Sequence, residues 1–190
     1  MPCREAVRHR LYTTRVNDHV VMAVGADRPG IVAAVTGALL ELGGNLEEVR
    51  AALLRGSFAT VLAVAVPDGV GREEIEAALR PVALQLGLGL WVGDAAPRSS
   101  GPSPARAVVS VYGADHPGIV NTIAASLADA GANIIDLSSR VVGDPPIYVL
   151  GVEIELPGGT DAAGLRASLA PVAASCGVEL AIESEDDEVL

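Results

Sequence analysis

The sequence predicts an α+β protein made of two copies of one βαββαβ plan. Two observations carry that prediction. The octet Gly25-Ala26-Asp27-Arg28-Pro29-Gly30-Ile31-Val32 returns as Gly113-Ala114-Asp115-His116-Pro117-Gly118-Ile119-Val120, identical at seven of eight positions. The chain around it also keeps register: Asn133 lies 88 residues beyond Asn45, and Pro157, Leu169 and Pro171 lie 90 beyond Pro67, Leu79 and Pro81. The change from 88 to 90 places a two-residue insertion at the Gly143-Asp144-Pro145-Pro146 turn.

Residues 1–17 carry Arg4, Arg8, Arg10 and Arg15 without periodicity and read as an extension outside the fold. Val20–Gly25 is an apolar, β-rich run entering the octet. Ile31, Val32, Val35, Leu39 and Leu42 then recur at helical spacing, and Gly43-Gly44 ends that helix. Val49, Ala51 and Leu53 alternate with Glu48, Arg50 and Ala52, which predicts a strand with two unlike faces. After the Gly56-Ser57 turn, Phe58–Val66 is a second β run closed by Pro67-Asp68-Gly69. Ile75, Leu79, Val82 and Leu86 mark another helix, and Leu88–Val92 a last strand.

That element order is the ferredoxin-like sandwich, with antiparallel sheets and helices on one face. The expected layout is an extension at 1–17, a first domain at 18–94, a Pro/Ser-rich linker at 95–105, a second domain at 106–184 and an acidic tail at 185–190. Pro81 and Pro171 fall inside helical patterns, where proline deletes a hydrogen bond and clashes with the preceding turn. A kink or a restart is expected at both. In the second half Leu150, Val152, Ile154 and Leu156 alternate with Glu153 and Glu155, as in a sheet with one wet face. The matching run Val61–Val66 is apolar on both sides, so the first sheet is expected to have its second face or its edge covered, by intramolecular pairing or a homodimer.

Each octet delivers a strand to a helix start, where the first amides lack partners inside the helix and the macrodipole adds partial positive charge. Such a turn attracts carboxylates and phosphates. Asp27 and Asp115 are placed to cap, accepting from the amides of Gly30 and Gly118. Pro29 and Pro117 suit a first turn, and the glycine after each lets a ligand come close to the backbone.

Composition narrows the functional classes. Half the residues are apolar, yet no uninterrupted run is long enough to span a membrane, and Met1–Val20 lacks the apolar block of a secretion signal. A cytoplasmic protein is expected. The net charge of −11, with arginine as the only base besides histidine, disfavours direct nucleic-acid binding. Cys3 and Cys176 form no metal-ligand spacing, and Cys176 continues the apolar series of its helix, so it reads as core. His9, His19 and His116 are the only histidines and form no catalytic or metal constellation. No enzyme, cofactor or metal is expected.

The residues Asp27-Arg28-Pro29-Gly30-Ile31-Val32 with Gly44-Asn45-Leu46, and Asp115-His116-Pro117-Gly118-Ile119-Val120 with Ala132-Asn133-Ile134, resemble the ACT domains, small βαββαβ modules that bind amino acids. A chain of two such domains is similar to the family of glycine cleavage system transcriptional repressors, which act on a partner regulator rather than on DNA. The resemblance implies ligand sites at Asp27, Arg28, Pro29, Gly30 and Ile31 with Asn45, and at Asp115, His116, Pro117, Gly118 and Ile119 with Asn133, often completed across a domain or subunit interface. It further implies a small amino acid such as glycine or serine, a protein partner such as a transcriptional regulator, and a homodimer.

Overall fold

The computed structural model describes residues 17–96, 104–158 and 160–184. The expected extension up to residue 16, the middle of the linker, the tail at 185–190, and Cys3 and His9 lie outside the described residues. Two compact units are present. The first contains β1 (Asn17–Ala26), α1 (Ile31–Glu41), β2 (Asn45–Leu54), β3 (Ser57–Val66), α2 (Arg72–Leu86) and β4 (Gly89–Asp94). The second contains β5 (Arg106–Gly113), α3 (Ile119–Asp129), β6 (Asn133–Val142), β7 (Ile147–Glu155), α4 (Ala162–Ser175) and β8 (Val178–Ser184).

Each unit holds one four-stranded antiparallel sheet, ordered β2-β3-β1-β4 in the first and β6-β7-β5-β8 in the second. The expected ferredoxin-like topology is therefore present twice. Helical period on one layer and strand alternation on the other meet in the core. Val21, Ala23, Leu62, Val64 and Val66 face Ile31, Val35 and Leu39 of α1 and Ile75, Leu79 and Ala83 of α2. The second core repeats this with Val109, Val111, Leu150, Val152 and Ile154 against Ile119, Ile123, Leu127, Leu165 and Leu169. Each fully buried aliphatic contributes about 1.5–3 kcal/mol relative to exposure. Cys176 is half-buried and packs against that second core, in line with its apolar series.

Two sequence expectations are corrected. β2 does not divide into a buried and a wet face: only Leu46 is half-buried, while Val49 is 44% and Leu53 58% exposed. The reason is helix coverage: α2 packs on β4, the other edge strand, whereas no helix covers β2 to a comparable extent, and the register of β2 shifts between Leu46 and Glu48. β6 behaves identically. Of the kink or restart expected at Pro81 and Pro171, the restart does not occur, since α2 and α4 run through both prolines. Both prolines are exposed, so the carbonyl each leaves unpaired faces water instead of the core.

The faces opposite the helices differ between units. The first presents Met22, Val24, Val61 and Trp91, all exposed, with Ala63 and Ala65 between them. On the second, Glu153, Glu155, Glu179 and Glu183 surround Ser110 and Tyr112. Thus the first sheet is apolar on both faces, as its sequence indicates.

Leu79 is 0% exposed at the centre of the first core. Leu79→Ala is expected to cost about 2–5 kcal/mol through lost transfer energy and the cavity left behind, measured by urea unfolding of the full chain.

Candidate functional site

The two octets are built alike. β1 ends at Ala26, and the Asp27 amide donates to the Gly56 carbonyl at 2.9 Å, which ties the loop to the β2–β3 turn. The strand's last glycine allows a second close approach: a Cβ on Gly25 would lie 2.7 Å from Leu88 Cδ2, and one on Gly113 would lie 2.7 Å from Val178 Cγ1. The turn that follows the second helix of each unit is thereby held against the octet.

The helix starts later than the sequence suggests. Gly30 and Gly118 are the N-cap residues, with φ of 94° and 101°, and no side chain caps either helix. Asp27 and Asp115 lie three residues before those caps, which corrects the capping role expected of them. The physical reason is the left-handed backbone that Pro-Gly adopts before the first helical residue, which moves the helix start beyond the reach of the aspartates. The Gly30 carbonyl accepts from Ala34 at 2.9 Å, and Gly118 from Thr122 at 2.9 Å, so both helices begin with ordinary first bonds. Amides of the first turn at Ile31 and Ile119 consequently keep the polarity that favours an anion. A Cβ on Gly30 or Gly118 would meet nothing within 4 Å, so the space before each helix is open and glycine is required by conformation alone.

In the second unit the opening is a cavity of about 530 Å³ lined by Asp115, His116, Gly118, Ile119, Asn121 and Tyr148, among others. Four of these were expected from the sequence; Asn121 and Tyr148 were not. Asn121 lies in the first turn of α3, and Tyr148 pairs with Gly113 across β5 and β7, so for Tyr148 the strand register was the missing signal.

His116 spans the site. Nε2 lies 2.7 Å from the Cys176 carbonyl at the end of α4, and Nδ1 lies 3.1 Å from the Pro117 carbonyl. Two carbonyl acceptors favour the doubly protonated ring, so the Pro117 carbonyl first, then that of Cys176, and finally the charge of Asp115 raise the imidazole's pKa above its ordinary 6.5. Arg28 holds the matching position in the first unit and, among the described residues, has no ion-pair partner within 4 Å. The first site thus offers an available guanidinium where the second offers a tethered imidazole.

The two asparagines are not part of these openings within a unit. Ala26 pairs with Ser57 whereas Asn45 pairs with Ala65, eight residues along β3. At about 3.4 Å per residue that is roughly 27 Å, at the opposite end of the sheet. Asn133 is placed likewise, and its Nδ2 donates to Glu155 Oε2 at 3.1 Å. Asn45 has Ala65 opposite it, and so lacks that restraint. His19 is also distant from the octets: it is buried near the start of β1 with Nδ1 3.2 Å from an Asp94 oxygen, in a geometry too poorly aligned for a hydrogen bond. Among the described residues no group of three or more His, Cys, Asp or Glu side chains could hold a metal ion, and no helix is long and apolar enough to cross a membrane.

Paired βαββαβ sandwiches, each opening its first helix with a left-handed glycine, define a tandem-repeat protein of the ferredoxin-like class. The chain belongs to the ACT domain family, whose sequence profile matches residues 18–92 and 105–183. It is 32% identical over 122 residues to the glycine cleavage system transcriptional repressor of Escherichia coli, covering 64% of this chain and 63% of that one. It is 38% identical over 82 residues to a UPF0237 protein of Methanopyrus kandleri, covering 43% and 89%. A phosphoserine phosphatase of Streptomyces coelicolor is 29% identical over 177 residues, covering 90% of this chain and 40% of the phosphatase. The chain therefore spans less than two thirds of the repressor and of the phosphatase. A solved structure of a Galdieria sulphuraria protein of unknown function superposes with a TM-score of 0.75 at 28% identity, covering 90% and 99%. ACT domains are regulatory, amino-acid-binding domains, and the likeness to the repressor supports a regulatory role for this chain.

Two measurements check the site's physics. Gly30→Ala or Gly118→Ala, which forces a Cβ into left-handed backbone, is expected to lower stability by about 1–2 kcal/mol in thermal or urea unfolding. By NMR, His116 is expected to titrate above 6.5; because its folded pKa is raised, its contribution to stability is complete below that ordinary value and disappears as pH rises through the folded one. His116→Gln should remove that component of the pH dependence.

Proposed function

We propose that the protein is a small amino-acid-binding regulator that acts through contact with a protein partner, such as a transcriptional regulator, in controlling genes of glycine and one-carbon metabolism. The observation that carries this reading is the uncapped, glycine-led helix start in each repeat, opening in the second onto a cavity large enough for a small zwitterion. The carboxylate of glycine or serine would meet the first-turn amides, and Asp27 or Asp115 would accept from its ammonium group. Arg28 adds a cation for the carboxylate in the first repeat, while His116 fills that role only when released from the Cys176 carbonyl. Pro29 and Pro117 set the loop, and Ile31 and Ile119 supply the amides that follow the cap.

Asn45 and Asn133 belong to this reading only as residues contributed across an interface, because the sheet keeps them about 27 Å from their own octets. On the same reading residues 18–94 and 106–184 are separable domains joined by the linker at 95–105. The role assigned is binding, not catalysis, and requires no cofactor. Binding without a metabolite, as an interaction scaffold, is the second reading; the tethered His116 and the Asn133–Glu155 bond favour it for the second repeat.

Calorimetric titration with a panel of amino acids tests the proposal. Binding of glycine or serine, lost on substituting Gly30→Val or Gly118→Val, is the expected outcome. No heat from any amino acid at millimolar concentration would sink the ligand reading and leave the scaffold.

A further inference from the structure

Two polar side chains of the second opening have no part in holding a carboxylate or an ammonium group. Tyr148 belongs to the buried alternation of β7, with Leu150, Val152 and Ile154, and is only 8% exposed. It nevertheless lines the cavity beside α3, and its hydroxyl opens onto that cavity instead of being sealed in the core. Among the described residues that hydroxyl has no hydrogen-bond partner. Tyrosine hydroxyls buried this far ordinarily have one. Asn121 lines the same cavity from the first turn of α3, and Ala124, three residues later, shares its side of the helix. The Asn121 carboxamide is likewise unbonded among the described residues.

The first repeat has neither group. Asn121 corresponds to Ala33, 88 residues earlier, and Tyr148 to Phe58, 90 residues earlier. Phe58 is half-buried and packs against the first core. Ala124 corresponds to Thr36, a larger side chain whose hydroxyl donates to the Ala33 carbonyl at 3.4 Å. Relative to the first repeat, the second therefore gains two hydrogen-bonding groups and sheds bulk on the helix wall next to them.

We propose that Tyr148 and Asn121 make the second site selective for an amino acid with a short, neutral, hydrogen-bonding side chain, a hydroxyl or a carboxamide, over glycine and alanine. This inference rests on the amino-acid reading above and adds to it which side chain the second repeat prefers. The ligand's carboxylate takes the first-turn amides and its ammonium group takes Asp115, so its side chain faces the remaining polar wall. Phenol and carboxamide both donate and accept, so a hydroxyl and an amide are matched equally. Neither group carries a charge that would offset the desolvation of a charged side chain. Glycine or alanine in the same place leaves both groups unmatched, and a site built around such groups discriminates against the ligand that lacks the partner. Asn121 is exposed to water, which takes over part of what is lost, so the discrimination is about three- to tenfold.

NMR titration of the isotope-labelled full chain tests the proposal, because the main-chain amides of Ile119 and Val120 report on the second site alone. Serine and asparagine are expected to shift these signals with an affinity about three- to tenfold above that of alanine. Tyr148→Phe and Asn121→Ala install the residues that the first repeat carries at the same places, so both variants are expected to fold. Each should lower the affinity for serine toward that for alanine and leave alanine unchanged, a split that a merely structural role would not produce. Serine and asparagine binding no tighter than alanine, or either variant leaving the serine-to-alanine ratio where it was, overturns the selectivity and leaves the amino-acid reading standing. No shift of these signals with any amino acid at millimolar concentration overturns both for the second repeat.

Discussion

Both repeats depend on a left-handed glycine between a strand and a helix. Gly30 and Gly118 turn the chain so that the helix folds back over its own sheet, and they do so without a side chain that could cap the helix. The core follows from this turn, since Ile31 and Ile119, the first helical residues, are almost fully buried against the sheet. So does the functional character of the loop: the residue that permits the turn is also the one that leaves the first amides uncovered. Packing and an uncapped helix start share a single backbone requirement here, and the octet that meets it is nearly identical in the two copies.

Around that shared backbone the repeats have separated in chemistry. Arg28 is available, whereas His116 bridges to the Cys176 carbonyl. Asn45 lies opposite Ala65, whereas Asn133 is bonded to Glu155. Glu76 is bonded to Arg72 on its own helix, whereas Arg166 donates to the Ile182 carbonyl on β8. The outer face of one sheet is apolar and that of the other carries glutamates. In the first two pairs the second repeat satisfies internally a group that in the first has no such partner among the described residues.

Much of the fold was legible because its cause is periodic. Alternating or helically spaced aliphatics mark every strand and helix, and the repeat offset confirms them twice over. The failures were at places where periodicity does not report the neighbour. β2 has an alternating pattern but no burial to match, because which strands the helices cover depends on how the elements assemble. Pro81 and Pro171 do not restart their helices, one of the two outcomes expected of them, because exposure of their turns lets water take the freed carbonyls. Asp27 and Asp115 have the composition of a cap in the wrong register, and only the backbone angles at the following glycines show where the helix begins.

By itself the sequence determined two repeats, their element order, their cores and the octets as the places where helix amides would be presented, since each of these follows from local pattern or from self-similarity. The tertiary structure decided which of the chosen residues could act together. It separated the asparagines from their octets by the length of a sheet, brought Asn121 and Tyr148 to the second opening, and set Arg166 but not Glu76 against a strand edge. Those outcomes depend on strand order and register, which bring together residues far apart in the chain and leave no periodic trace in it.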